Sequence, residues 1–145
     1  RPLNGKIETL IGRSRKNRQL MSVTEITGKK SITNYKTLKV FNIKDVPKIS
    51  FLECKLETGR THQIRVHMAY KGNSLLGDQQ YGKKNLRFKK INEEFEDKLK
   101  VLSRQALHAK SLGFIHPTSK KLISFESKLP KDFKKILDLL NKLSH

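Results

Sequence analysis

The segments ITNYKTLKVFNI at 32–43 and ISFLECKL at 49–56 constrain the fold of this chain more than any other feature. Both are rich in β-branched and aromatic residues, which suit a pleated, half-buried surface. Val46, Pro47 and Lys48 lie between them, and proline cannot continue a ladder, so the pair predicts a β-hairpin. KIETLIG at 6–12 predicts a further short strand. The next segment, RSRKNR at 13–18, is too charged and too poor in apolar residues to be anything but exposed loop.

Residues 61–71 fit two periods, because Ile64, Val66 and Met68 alternate as in a strand while Ile64/Met68 and Arg65/Ala69 share a helical face. Gly72 is a good helix stop and Thr58 or Thr61 a good start, so a helix is expected with Thr61 at its cap. NSLLGDQQYGKKN then reads as loop, and 93–102 as a short polar helix. SLGFIHPTSKKLISFES predicts two strands turned at His116-Pro117-Thr118-Ser119. From Lys131 onward, Phe133, Ile136, Leu137, Leu140 and Leu143 fall on one helical face. The expected fold class is α+β, one domain over residues 1–145 with a mainly antiparallel or mixed sheet and flanking helices.

A chain of 145 residues should bury about 70% of its unfolded surface, and 35% apolar residues is lean for such a core. The deficit hints that part of a larger fold lies outside this sequence. Lys and Arg number 32 against 13 Asp and Glu, a net charge of +19. Self-repulsion on that scale points to a polyanionic partner, and nucleic acid is the expected one. No basic helix carries the aromatic apolar face of a membrane anchor, and no apolar run could span a bilayer. The lone Cys54 cannot form an internal disulfide and alternates with Leu52 and Leu56, so a buried, inert thiol in a reducing, cytoplasmic-type compartment is expected.

Common enzyme templates fail. His62 and His67 are five apart, His108 and His116 lack a third ligand, and one cysteine builds no thiolate cage, so no metal is expected. The glycines form no phosphate-cradling loop, and a nucleophile elbow is missing. What stands out is TGRTHQIRVH at 58–67. Arg60 and Arg65 straddle a loop-to-helix junction, where planar guanidinium forks and free helix N–H groups can hold anions. Taken alone, the cluster fits a solvated basic turn about as well.

The surrounding string LETGRTHQIRVHMAYKGNSLLGDQQYG resembles the signature block of the RluA family of RNA pseudouridine synthases. Ile11, Arg13, Met21, Val23, Thr33 and Tyr35 match the family's spacing upstream. Downstream, RQALHA at 104–109, FIHP at 114–117 and Leu129-Pro130 match its closing block. The resemblance implies detachment of uracil from ribose within RNA, rotation of the base and reattachment through carbon 5, with one aspartate and no cofactor. It implies a partial synthase fold, because the family's His-Arg-Leu-Asp block does not occur here and is expected on an N-terminal portion of the same protein. Arg65 matches the family arginine that pairs with that aspartate, so Arg65 is the expected catalytic residue, without a carboxylate partner inside this chain, and the sheet is expected to expose an edge. Asp78, in Gly-Asp-x-x-Tyr-Gly, is expected to stabilise a turn. RNA contacts are expected from Arg60, His62, Gln63, Arg13, Arg15, Lys16 and Arg18, with ribosomal RNA favoured over transfer RNA. The alternative is a non-catalytic RNA-binding module that keeps the fold.

Overall fold

The computed structural model describes residues 3–44, 46–82 and 93–144. Strand β1 (Asn4–Arg13) pairs antiparallel with β2 (Met21–Thr24) on one side and with β3 (Lys29–Phe41) on the other. Strand β4 (Ile49–Leu56) completes the expected hairpin with β3, giving a four-stranded sheet in the order β2-β1-β3-β4. A register shift between Thr37 and Lys39 marks an irregularity in β3. Beyond it Phe41, 2% exposed, enters the main hydrophobic cluster. Strand β2 is not legible in MSVT, whose identity as a strand depends on pairing with Leu10–Arg13.

Helix α1 (Gln63–Tyr70) lies against β2 and β3 of this sheet and buries Val66 and Met68. Its beginning differs from expectation. The cap is His62, in left-handed backbone (φ 57°) with no side-chain capping bond, and Thr61 stands outside the helix. Helices α2 (Glu93–Leu102) and α3 (Lys131–Leu143) pack together, and Phe95, Leu102, Ile136, Leu139 and Leu140 close around Phe41. Full burial of side chains of this size contributes roughly 1.5–3 kcal/mol each, which makes this cluster the main anchor of the fold. Leu139 is buried where the sequence periodicity points to Leu137 and Leu143, which are only partly covered.

Strands β5 (Ser111–Ile115) and β6 (Leu122–Glu126) form a separate two-stranded sheet. His116 Nδ1 accepts the backbone N–H groups of Thr118 and Ser119, so the expected turn is fastened by its own first side chain. Cys54 is half-buried where full burial is expected, and burial raises its thiol pKa, which favours the protonated form. Among the described residues no strand pairs with the outer side of Asn4–Thr9 or of β4, which accords with the expected open edge. No described helix is long and apolar enough to cross a membrane.

Candidate active site

Gln63 organises the loop before α1. Its Oε1 accepts from Thr58 Oγ1 (2.8 Å) and from the Arg60 N–H (3.0 Å). Its Nε2 donates to the Ile32 carbonyl and to Thr33 Oγ1, both at 3.0 Å. All four hydrogen-bonding positions of the amide are thus used inside the protein, and Gln63 is 2% exposed. The structure therefore places this expected RNA contact in the interior, where it ties the loop to β3. Thr58 Oγ1 also accepts the Ile32 N–H at 2.8 Å, a second stitch between the same elements. His67, fully buried, sets its ring nitrogens against the hydroxyls of Thr33 (2.8 Å) and Thr9 (2.9 Å), and burial lowers its pKa.

Arg65 is not left unpaired, contrary to the expectation from sequence. Its Nε donates to Asp78 Oδ2 at 2.8 Å and its Nη2 to Asp78 Oδ1 at 2.9 Å, with Gln80 Oε1 a third acceptor at 2.8 Å. Gly77, in left-handed backbone (φ 72°), starts the turn that carries the carboxylate back over α1. Asp78 Oδ1 also accepts the N–H groups of Gln80 and Tyr81, and the Asp78 carbonyl accepts from Gly82. Asp78 thus stabilises a turn, as expected, and additionally holds Arg65. Burial alone would raise its pKa, but the Arg65 guanidinium and the two backbone donors outweigh it and hold the carboxyl below its usual range. The same pairing raises the Arg65 pKa.

Tyr81, marked in the sequence only as the tyrosine of Gly-Asp-x-x-Tyr-Gly, also belongs to the site. Its ring lies 4.8 Å from the Arg65 guanidinium carbon, a cation–π contact. Its hydroxyl accepts the Met21 N–H at 3.0 Å, so its own proton is free to go to His62 Nδ1, 2.9 Å away. Burial, with Arg65 nearby, lowers the His62 pKa and favours the neutral ring. Arg65 opens onto a cleft of about 240 Å³, lined also by Gln79, Gln80, Ser103, Arg104 and Gln105. Arg104 is committed to the Gln105 and Leu107 carbonyls and to Asp132, so it shapes the cleft wall. Arg60 is partly tied down by a bond from Nε to the Lys30 carbonyl. Arg13, Arg15, Lys16 and Arg18 are exposed around the β1–β2 connection, beside Met21 and hence beside Tyr81. No group of acidic, histidine or cysteine side chains among the described residues could hold a metal ion.

The family model described as RNA pseudouridylate synthase matches residues 2–70. The chain is 42% identical over 139 residues to ribosomal large subunit pseudouridine synthase D of Zymomonas mobilis, covering 95% of this chain and 41% of that protein. It is 44% identical over 140 residues to the protein of that name in Neisseria meningitidis, covering 96% of this chain and 35% of the relative. The chain belongs to the family of RNA pseudouridine synthases. The fold agrees: human RNA pseudouridylate synthase domain containing 1 superposes with a TM-score of 0.67 at 22% identity, over 97% of this chain and 60% of that one. This pseudouridine synthase family chain spans less than half the length of the two curated relatives.

Proposed function

We propose that this chain is the C-terminal portion of the catalytic domain of an RNA pseudouridine synthase that converts uridine to pseudouridine in large-subunit ribosomal RNA. In that reaction the ribose C1′ bond moves from N1 to C5 of the uracil, the C5 proton leaves and N1 takes up a proton. The observation that carries the reading is Arg65, 8% exposed, held by a buried ion pair at the mouth of a polar cleft. A guanidinium so placed can keep a carboxylate ionised and oriented. That carboxylate is supplied by an N-terminal portion of the same protein, so this chain alone is inactive.

The β5–β6 sheet supports such a missing portion. Leu112, Phe114 and Phe125 are 62%, 42% and 56% exposed, and the strand register puts them on one face with Ile123. An isolated two-stranded sheet is marginal in water, and an apolar face of this kind calls for a covering layer. The basic side chains around residues 13–18 grip the RNA backbone beside the cleft, while the target base leaves its stack to enter. The single free thiol suits a reducing, cytoplasmic setting.

The test is tritium release from RNA labelled at uridine carbon 5. The complete protein is expected to release tritium from large-subunit ribosomal RNA, and this chain alone to release none. Turnover by the isolated chain would overturn the placement of the carboxylate. Release from transfer RNA alone would overturn the choice of substrate.

A further inference from the structure

We propose that Asp78 is the positioning residue of the site, clamping Arg65 so that one edge of its guanidinium stays directed at an incoming carboxylate. The inference rests on the reading above, in which Arg65 meets a carboxylate from elsewhere in the protein. A guanidinium has five N–H donors in one plane. Among the described residues, Nε and Nη2 give three of them to Asp78 Oδ2, Asp78 Oδ1 and Gln80 Oε1, which leaves the two on Nη1. The Arg65 guanidinium carbon lies over the Tyr81 ring, 4.8 Å from its centroid. In-plane rotation is stopped by the Asp78 fork and tilting by the ring, so the direction of the Nη1 edge is fixed before any partner arrives.

Asp78 is itself fixed in advance. Its side chain has no exposed surface, and Oδ1 takes the N–H groups of Gln80 and Tyr81. The two oxygens have different duties: Oδ1 serves the turn as well as Arg65, whereas Oδ2 meets Arg65 alone among the described residues. That asymmetry makes the clamp separable from the turn. In Asp78→Asn the carbonyl oxygen keeps the Oδ1 bonds, and the amide nitrogen then confronts Arg65 Nε donor to donor. A turn residue pure and simple would tolerate the change, but a clamp would not.

The experiment uses the complete protein and steady-state tritium release. Asp78→Asn is expected to keep its thermal midpoint within a few degrees and its KM for RNA within about threefold, while kcat falls at least tenfold. Asp78→Glu, which restores the charge, should recover part of the loss. A folded Asp78→Asn protein with wild-type kcat overturns the proposal, as does Asp78→Glu no faster than Asp78→Asn. If Asp78→Asn does not fold, the same reading is taken from Gln80→Leu, which removes only the third bond of the guanidinium, the one from Nη2 to Gln80 Oε1. There kcat should fall several-fold at unchanged KM, and an unchanged kcat overturns the clamp. Arg65→Met separates the two levels of inference. Wild-type turnover in that variant defeats the reading of Arg65, whereas an inactive Arg65→Met protein beside a fully active Asp78→Asn protein defeats the clamp alone.

Discussion

Gly77 and Arg104 approach so closely that a β-carbon on Gly77 would sit 2.4 Å from the Arg104 carbonyl oxygen. The two stretches of chain are stitched there by the Ala106 N–H donating to the Leu76 carbonyl. Gly77→Ala therefore meets both a backbone obstacle and a φ of 72°. A left-handed backbone costs a non-glycine residue about 1–3 kcal/mol, before the clash with the carbonyl is counted. A drop of several degrees in thermal midpoint is expected, together with a loss of turnover in the complete protein, because the same turn carries Asp78. An unchanged midpoint in calorimetry would count against this packing.

In the complete protein Arg65→Met should abolish turnover while RNA affinity stays within about threefold. The arginine is buried and already neutralised by Asp78, so it adds little to the field that attracts RNA. Gel-shift titration beside tritium release checks both halves, and a parallel loss of binding would contradict them.

His67 should make the protein sensitive to mild acid. Its folded pKa lies below the ordinary histidine value of 6.5, so the unfolded chain binds more protons and stability rises with pH. The contribution is full above pH 6.5 and is lost as the pH falls through the folded pKa; His62 acts with the same sign. Urea unfolding midpoints should fall between about pH 7.5 and 5.5, and His67→Gln should flatten that slope even if it lowers stability throughout. Asp78 acts in a separate window, below the ordinary aspartate value of 3.8.

Charge removal around residues 13–18 should act on binding alone. Arg15, Lys16 and Arg18 are exposed on the β1–β2 connection and take no part in the Arg65 hydrogen bonds. Replacing all three by glutamine should weaken RNA binding and reduce the slope of log K against log salt by about 0.7 for each phosphate that is no longer neutralised. A triple variant with the wild-type slope would remove this loop from the interface.

The elements most legible in the sequence are those fixed by local pattern. Residues 49–56 become a strand with the expected bounds, and the helix from Lys131 buries three of the five apolar residues assigned to it. The partner of Arg65 is not legible, because it depends on Gly77 adopting left-handed backbone and on a turn that folds back over α1. The family resemblance also points to a carboxylate elsewhere, away from the one at Asp78 in the same chain. Gln63 departs from expectation for a related reason: a glutamine amide looks the same in sequence whether it faces solvent or fills a buried four-bond socket.

The exposed apolar face of the β5–β6 sheet would be adhesive if it met the same face of another copy. Lys110 and Lys128 stand just outside the two strands, and Lys120 and Lys121 occupy their turn, all four exposed. Such flanking charges act as gatekeepers that keep hydrophobic strands from pairing edge to edge. Part of the +19 excess is thus placed where like charges on two copies would hold their exposed hairpins apart.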